Sequence, residues 1–190
     1  MKKQYTDWEE CKSLKEVVAL RTLKHSNIVT LNELILENNE LIMVFEFIGV
    51  NLFEYLKNLE EIPEYKIRNI AFQALQGLAY MHKNNFFHRD IKPENILISG
   101  DQVKLADFGL AKEIKSEPPF TDYVATRWYR VNSKTYSSPI DIFALGAIIA
   151  ELYLNVPLFP GKNASENPIN LLEFMLNFIP NKRSTAVKCL

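Results

Sequence analysis

Two short segments of the sequence contain the few groups that phosphoryl transfer requires. Asp90, Lys92 and Asn95 lie in the run His-Arg-Asp-Ile-Lys-Pro-Glu-Asn, and Asp107 follows in Asp-Phe-Gly, directly after a strand-like run. A carboxylate such as Asp90 can orient an incoming hydroxyl and accept its proton, and Lys92 can offset charge on the transferring group. Asn95 and Asp107 offer the hard oxygen ligands that Mg²⁺ takes. The alternative, that Asp90 and Asn95 only cap a loop, does not explain their combination with Asp107.

The two segments resemble the catalytic-loop and metal-loop signatures of eukaryotic Ser/Thr protein kinases. The resemblance implies an α+β, two-lobed protein kinase-like fold. It also implies transfer of the ATP γ-phosphoryl group to Ser or Thr of protein substrates, with Mg²⁺ held by Asn95 and Asp107. His88 would pack and hydrogen-bond rather than exchange protons, and Arg89 would receive a phosphate from the activation segment.

Further positions carried over from the resemblance concern ATP. Glu16 takes the place of the helix-C glutamate that pairs with the ATP-binding lysine, although a solvated surface glutamate is the alternative. The other nucleotide positions are Phe45 at the rear of the pocket, the backbone of Glu46 and Ile48 facing adenine, and Leu97 as the floor. Asp141 resembles the buried residue that braces the catalytic loop.

A Thr-x-Tyr pair, Thr121 and Tyr123, precedes the run Ala-Thr-Arg-Trp-Tyr-Arg. The pattern resembles the mitogen-activated and cyclin-dependent kinase group. Phosphates there would meet arginines in charge-assisted pairs, with Arg127 and Arg130 suited to Tyr123 and Arg89 to Thr121. An upstream activating kinase is therefore implied.

A narrower resemblance is to the male germ cell-associated and intestinal-cell kinases of cilia and flagella. It rests on Asp122, Ser116-Glu117-Pro118-Pro119-Phe120 and Trp8-Glu9-Glu10-Cys11. It implies proline-leaning substrate sites and a cytoplasmic location, with nuclear or ciliary placement by resemblance. The first helix does not resemble the cyclin-contacting helix, so no cyclin is predicted.

Apolar periodicity supplies the elements that must position these residues. The predicted helices are a first one from Thr6 or Asp7 to about Leu23, and then 52–59, 64–83, 139–154 and 168–177; the predicted strands are 27–36, 41–48, 96–99 and 102–106. A hinge-like stretch near Ile48 divides a partial small lobe, residues 1–48, from a large lobe, residues 49–190.

Composition excludes several function classes. Hydrophobic residues make up 47% of the 190, enough for a buried core, and 22 basic against 23 acidic side chains give no reason to expect nucleic acid or a membrane as partner. Cys11 and Cys189 have no metal-ligand spacing and are expected to be free thiols. A soluble intracellular monomer is predicted.

The sequence departs from the family pattern at several places. The first glycine is Gly49, so the chain contains no G-x-G-x-x-G run, and the strand lysine expected to pair with Glu16 is also missing. Val131-Asn132-Ser133-Lys134 stands where the family has Ala-Pro-Glu, which would leave Arg183 without its glutamate partner. Leu158-Phe159-Pro160-Gly161 leads almost directly into Asn163-Ala164-Ser165, without the long helical segment that relatives have there.

These departures predict that the chain is N-terminally truncated, has internal gaps and is impaired as a catalyst. Three interpretations remain open: an active kinase whose gene model lost segments, a non-catalytic kinase-like binding module, and a degenerate fragment without a stable fold. Retention of Asp90, Lys92, Asn95 and Asp107 favours the first, because binding alone does not require that set.

Overall fold

The computed structural model describes residues 5, 7–57, 59, 61–113, 137–156, 158, 175–177, 182–183 and 185–190. Within them the order is α1 (Trp8–Lys12), α2 (Lys15–Thr22), β1 (Leu31–Glu37), β2 (Glu40–Phe45), β3 (Val50–Asn51), α3 (Leu52–Lys57), α4 (Glu64–Lys83), β4 (Phe86–Phe87), a 3-10 turn (Pro93–Asn95), β5 (Ile96–Ser99), β6 (Gln102–Leu105), β7 (Lys112–Glu113), α5 (Pro139–Leu154) and α6 (Ala186–Cys189). Helices accompany antiparallel strand pairs, which agrees with the predicted α+β class.

The single helix predicted from Thr6 or Asp7 to Leu23 is wrong, because the structure has two helices there. Asp7 does cap α1, and its carboxylate accepts the Glu9 N–H at 3.1 Å. The first helix ends where Ser13 Oγ donates to the Glu10 carbonyl at 2.8 Å and Leu14 turns to φ −58° and ψ 132°. A short hydroxyl side chain competes for nearby backbone groups, and apolar periodicity does not report this.

β1 and β2 form the predicted antiparallel hairpin, with Glu37 opposite Glu40 at its end. Asn38 and Asn39 between them have φ of 50° and 63°. Two consecutive left-handed residues match the twist of a hairpin, and Asn adopts that conformation more readily than most residues. The turn chemistry therefore fixes the register of this pair.

Residues 27–29 lie outside β1, contrary to the predicted strand 27–36. They follow β6 instead, where the Val29 N–H donates to the Leu105 carbonyl and the Leu105 N–H donates to the Asn27 carbonyl, both at 2.9 Å. A strand-like composition cannot specify which neighbour supplies the hydrogen bonds. The result is that the segment before β1 is fastened to the strand that leads to Asp107.

A linker, defined here as residues 46–49, connects β2 to a three-stranded sheet in the order β3-β5-β6. β5 and β6 pair antiparallel across a turn in which Gly100 has φ of 56°. Gly49 lies so close to β5 that an added Cβ would stand 2.2 Å from the Ile98 carbonyl oxygen. Only glycine therefore fits at this position of the linker.

The two long helices coincide with their predictions. α4 spans Glu64–Lys83 and buries one apolar face, whose residues include Ile67, Ile70, Ala74, Leu75, Leu78 and Met81. α5 spans Pro139–Leu154 and is buried on nearly all sides, as its continuous apolar sequence indicates. The helix predicted at 168–177 falls largely outside the described residues. No helix in the described ranges is long and apolar enough to cross a membrane.

Buried polar side chains join α4 to the β5–β6 hairpin. Asn27 is only 4% exposed, and its Nδ2 donates to Gln73 Oε1 and to the Val103 carbonyl, both at 2.9 Å. Lys66, also on α4, donates to the Gly100 carbonyl and to the Asp101 carboxylate. These bonds fix the orientation of the hairpin, which carries Asp107 at its end.

The Asn27→Ala substitution is expected to lower the free energy of unfolding by about 1–3 kcal/mol, because it leaves buried acceptors without their donor. Urea denaturation followed by circular dichroism would measure the change. Gln102→Ala, at an exposed position on β6, is the control and is expected to change stability by no more than ~0.5 kcal/mol. Equal effects of the two substitutions would contradict the role given to Asn27.

Candidate active site

Lys92 and Asn95 both hydrogen-bond to one carboxylate oxygen of Asp90. Asp90 Oδ2 accepts from Lys92 Nζ at 2.8 Å and from Asn95 Nδ2 at 3.1 Å, and Asn95 Nδ2 also donates to the Asp90 carbonyl at 2.8 Å. The side chain of Asp90 is 9% exposed. Among the described residues, Oδ1 of Asp90 takes part in no hydrogen bond that would occupy it. Oδ2 of Asp90 is thus hydrogen-bonded within the loop, whereas Oδ1 has no such partner among the described residues.

Lys92 keeps its charge beside this carboxylate. Burial would lower the pKa of Lys92, but the hydrogen bond and charge of Asp90, with the charges of Asp107 and Glu94, outweigh it and raise that pKa. A cation with a raised pKa stays protonated throughout the neutral range. Lys92 can therefore neutralise negative charge that develops next to Asp90.

Two oxygens near the loop remain available to a hard cation. Asn95 uses its amide nitrogen on Asp90, which leaves its side-chain oxygen. Asp107 is exposed, has φ of 63°, and accepts the Gly109 N–H on Oδ1 at 3.3 Å. The Ala106 N–H donates to the Asn95 carbonyl at 2.9 Å, which links the two segments. Carboxylate and amide oxygens are ligands suited to Mg²⁺.

His88 has a structural position. Its Nε2 donates to the Ala106 carbonyl at 3.0 Å, and its Nδ1 accepts the Asp90 N–H at 3.3 Å. One nitrogen must donate and the other must accept, so these bonds specify one neutral tautomer. The ring also packs against Phe108 with centroids 5.1 Å apart. Both nitrogens are occupied by backbone groups, and His88 is fully buried.

Asp141, at the start of α5, holds the backbone of the catalytic loop. It is 1% exposed, and its two oxygens accept the His88 N–H at 2.8 Å and the Arg89 N–H at 2.9 Å. His82 on α4 donates to the same carboxylate at 2.8 Å. Arg89 has φ of 73°, a conformation that a large side chain rarely adopts, and the carboxylate stabilises it.

Glu16 is half-buried near Asp107. Burial, and secondarily the charge of Asp107, raise the pKa of Glu16. A Cβ added at Gly109 would stand 3.4 Å from Asp107 Oδ1 and 3.7 Å from Glu16 Oε2, so both carboxylates border the same small space. Within the described ranges no cation pairs with Glu16. The structure thus places Glu16 beside the candidate metal ligand but without the expected lysine.

The predicted nucleotide positions lie along the linker and β5. Phe45 and Leu97 are partly buried against the core, and Ile48 is half-buried. Glu46 Oε1 accepts from Lys104 Nζ at 2.6 Å and from the Thr30 N–H at 2.7 Å. Burial would raise the pKa of Glu46, but these hydrogen bonds outweigh it and hold the pKa below its usual value.

A group of cations lies on the other side of the catalytic loop. Burial, followed by the charges of Arg89 and Lys15, lowers the pKa of Lys112. Lys15 and Lys112 also line a cavity of about 320 Å³, with Ser13 and Phe86 among its other walls. The charges of Arg89 and Lys15 thus act on Lys112. Thr121, Tyr123, Arg127 and Arg130, which sequence analysis assigned to this region, lie outside the described residues.

Arg183, whose expected glutamate partner is missing from the sequence, makes hydrogen bonds with backbone carbonyls. The residue is 6% exposed, and it donates to the Asn177 and Pro139 carbonyls, both at 2.7 Å. Its guanidinium lies 5.2 Å from the centroid of the Phe143 ring. Burial lowers the pKa of Arg183 to about 10. Backbone carbonyls and an aromatic face are thus among the partners of Arg183, and sequence reasoning did not consider them.

Sequence reasoning missed three residues of this region: Lys104, His82 and Lys112. Lys104 is a buried lysine in an apolar strand, an unusual choice that is itself a signal. His82 and Lys112 give no such signal, because a polar residue at a helix end or after a loop is ordinary. Only the packing of α4, α5 and β7 brings them to the catalytic loop.

The chain was compared with known proteins. A family model described as Protein kinase domain matches residues 1–190. The chain is 52% identical over 168 residues to the serine/threonine-protein kinase MAK of Homo sapiens, and 55% identical over 168 residues to the serine/threonine-protein kinase ICK of Mus musculus; each match covers 85% of this chain and 27% of the relative. It is 51% identical over 172 residues to cyclin-dependent kinase F-3 of Oryza sativa subsp. japonica, covering 87% of this chain and 40% of the relative.

The chain thus spans between about a quarter and two fifths of the length of these relatives. The matches confirm the predicted resemblance to the male germ cell-associated and intestinal-cell kinases and the predicted kinase-like α+β fold.

Asp141→Asn is expected to lower the free energy of unfolding by about 2–3 kcal/mol, because an amide nitrogen would replace an acceptor that faces backbone N–H groups. Urea denaturation would measure the loss. Asp101→Asn is the matched control, since that carboxylate is 87% exposed and pairs with Lys66. A loss no larger than the control's would show that Asp141 does not brace the loop.

Glu16→Gln is expected to raise the melting temperature at pH 7 by roughly 1–3 °C. A folded-state pKa above the unfolded value means that the charged form opposes folding, so stability rises as pH falls toward the unfolded value of 4.5. The advantage of the Gln variant should therefore shrink near pH 4.5. Glu33→Gln, at an exposed site on β1, serves as the control. A lower melting temperature for Glu16→Gln at pH 7 would indicate a cation partner for Glu16.

Proposed function

The chain belongs to the protein kinase family, and from that premise we propose that it transfers the γ-phosphoryl group of ATP to Ser or Thr hydroxyls of proteins. The observation that carries the proposal is the Asp90 carboxylate, whose Oδ2 is held by Lys92 and Asn95 while Oδ1 is left for a substrate hydroxyl. That geometry supports the catalytic roles proposed for these residues.

The proposed mechanism uses Asp90 to align the hydroxyl and accept its proton as the oxygen attacks phosphorus. The bond from phosphorus to the β-bridging oxygen breaks, and ADP leaves with that electron pair. Lys92 offsets charge on the transferring group, because its raised pKa keeps it cationic. Mg²⁺, held by the side-chain oxygens of Asn95 and Asp107, would neutralise phosphate charge when bound.

Nucleotide binding is assigned to the residues along the linker. The backbone of Glu46 and Ile48 would face adenine, with Phe45 at the rear of the pocket and Leu97 as its floor. Glu16 would pair with an ATP-binding lysine on the phosphate side of this site. The same proposal divides the chain into a partial small lobe, residues 1–48, and a large lobe, residues 49–190.

Regulation by phosphorylation is proposed for Thr121 and Tyr123, modified by an upstream activating kinase. A phosphate on Thr121 would meet Arg89, and Lys112, on which the charges of Arg89 and Lys15 act, adds positive charge nearby. Arg127 and Arg130 are assigned to the phosphate on Tyr123. Support comes from the cations grouped around Arg89 and from the charge-assisted bonds that phosphates form with such groups.

The proposal has three further parts. The substrate sites are proline-leaning, the protein is a monomer without cyclin, and its location is cytoplasmic, nuclear or ciliary. They follow from the family resemblance of the Thr-x-Tyr segment and the first helix. A proline-leaning preference would appear as faster phosphorylation of Ser-Pro peptides than of the matched Ser-Ala peptides.

The 190-residue chain is also proposed to turn over slowly. It contains no G-x-G-x-x-G run, and among the described residues Glu16 has no cation partner. Loss of one preorganised charge-stabilising donor lowers rates by roughly 10²–10³ in other enzymes. The same observation on Glu16 favours a second candidate, a non-catalytic kinase-like binding module.

Asp90→Asn is expected to reduce phosphoryl transfer by about 10²–10⁴-fold, the range for loss of a general base. A single-turnover assay with the chain in excess over a labelled protein substrate, with ATP and Mg²⁺, would detect a slow rate. The wild-type rate should itself fall about 10²–10³-fold below that of the human relative's kinase domain.

Glu37→Gln, at an exposed position at the end of the β1–β2 hairpin, is the control and should keep the wild-type rate to within about threefold. Transfer that is unchanged by Asp90→Asn would remove Asp90 from the mechanism. Binding of ATP without any transfer would favour the binding module, and a wild-type rate equal to that of the human kinase domain would contradict the proposed impairment.

A further inference from the structure

A partly buried ion pair connects the linker to the three-stranded sheet. Lys104 Nζ on β6 lies 2.6 Å from Glu46 Oε1, and the two side chains are 8% and 26% exposed. The Thr30 N–H donates to the same oxygen at 2.7 Å, and the Glu46 N–H donates to the Thr30 carbonyl at 3.0 Å. The first residue of the linker is therefore held by three hydrogen bonds.

The linker touches the β5–β6 hairpin at a second point. Gly49 packs against the backbone of Ile98 on β5 so closely that no side chain fits. Lys104 and Ile98 thus contact the two ends of the linker from the two strands of one hairpin. Lys104 is also the cross-strand partner of Leu97, and opposed residues of antiparallel strands share a face. The contact therefore extends to the proposed floor of the nucleotide pocket.

The backbone carbonyl of Glu46 takes no part in these hydrogen bonds. Its N–H and its carboxylate are engaged with Thr30 and Lys104, whereas its carbonyl has no hydrogen-bond donor within the described ranges. The Ile48 N–H, two residues on, is likewise without an acceptor in that part of the chain. An acceptor and a donor at this spacing match the edge of adenine, which offers an amino donor beside a ring-nitrogen acceptor.

We infer that Lys104 is a positioning residue for the adenine of the nucleotide, acting through Glu46. By fixing the Glu46 side chain, Lys104 sets the direction of the Glu46 carbonyl and the path of the chain to Ile48. The inference rests on the proposed function, since it concerns how that site holds ATP. Lys104 itself does not touch the reacting atoms.

The alternative is that the pair only stabilises the fold. The chain supplies a matched control for this alternative in Lys66, whose side chain is also 8% exposed and also pairs with a carboxylate, Asp101, at 2.9 Å. Lys66 holds the same hairpin at the turn of Gly100 and Asp101, away from the linker. A general loss of stability should follow from either substitution, whereas a loss of adenine binding should follow only from Lys104.

The experiment measures binding of adenosine to the chain by titration calorimetry. Adenosine carries no phosphate, so Mg²⁺ and Glu16 do not enter the result. Lys104→Met is expected to weaken adenosine binding by about tenfold, the scale of one charge-assisted hydrogen bond. Lys104→Arg should restore binding to within about threefold of wild type, because it returns a cation to Glu46. Lys66→Met should bind adenosine like wild type.

Hydrogen exchange supplies a second readout that needs no ligand. In Lys104→Met the hydrogen-bonded amides of Thr30 and Glu46 should exchange roughly tenfold faster, while those of α4 stay protected. Glu46→Gln should have the same effect in weaker form. Should Lys104→Met prove too unstable to purify, Glu46→Gln carries both measurements, because it keeps the bond from Thr30 and loses only the ion pair.

The outcomes separate the two proposals. If the wild-type chain does not bind adenosine, the proposed nucleotide site fails and this inference fails with it. If wild type binds and Lys104→Met binds equally well, only the role of Lys104 is overturned. Equal weakening by Lys66→Met, or exchange that rises throughout the chain, would show a structural role alone and would also overturn it.

Discussion

The site depends on one buried carboxylate, that of Asp141. A charge at 1% exposure is unfavourable unless hydrogen bonds replace the lost water, and here two backbone amides and His82 do so. Those amides belong to His88 and Arg89, and Arg89 has φ of 73°. The carboxylate therefore stabilises a backbone turn that the local sequence does not favour. Asp90 follows that turn, and its position depends on this interaction between α5 and the loop.

Charge is unevenly compensated around the loop. Asp90 has Lys92 as partner, Glu46 has Lys104, and each cation offsets the burial of its carboxylate. Glu16 differs, since burial and Asp107 raise its pKa. The part of the site around Asp90 is thus electrostatically compensated within the described residues. The part around Glu16 lacks a cation in those same residues, and the two parts therefore differ in how far they are preorganised.

Much of the fold and site could be predicted from sequence because the signals are local. The one-faced period of α4 and the continuous apolar run of α5 predicted helices with the observed bounds. The Asn38-Asn39 turn lies between two strand-forming runs, and it predicted the hairpin. The candidate catalytic residues could be identified because Asp90, Lys92 and Asn95 lie close together in the chain. Errors arose where a single side chain interrupted a pattern, as Ser13 does between α1 and α2.

Sequence alone therefore determined which residues are candidates for the chemistry and where the two long helices lie, since residue type and short-range periodicity suffice for both. Tertiary structure alone decided which distant groups meet. Lys104 reaches Glu46 across 58 residues, Arg183 reaches the Pro139 carbonyl across 44, and His88 reaches Asp141 across 53. Contacts at such separations are fixed by how the elements pack together, and no local pattern encodes them.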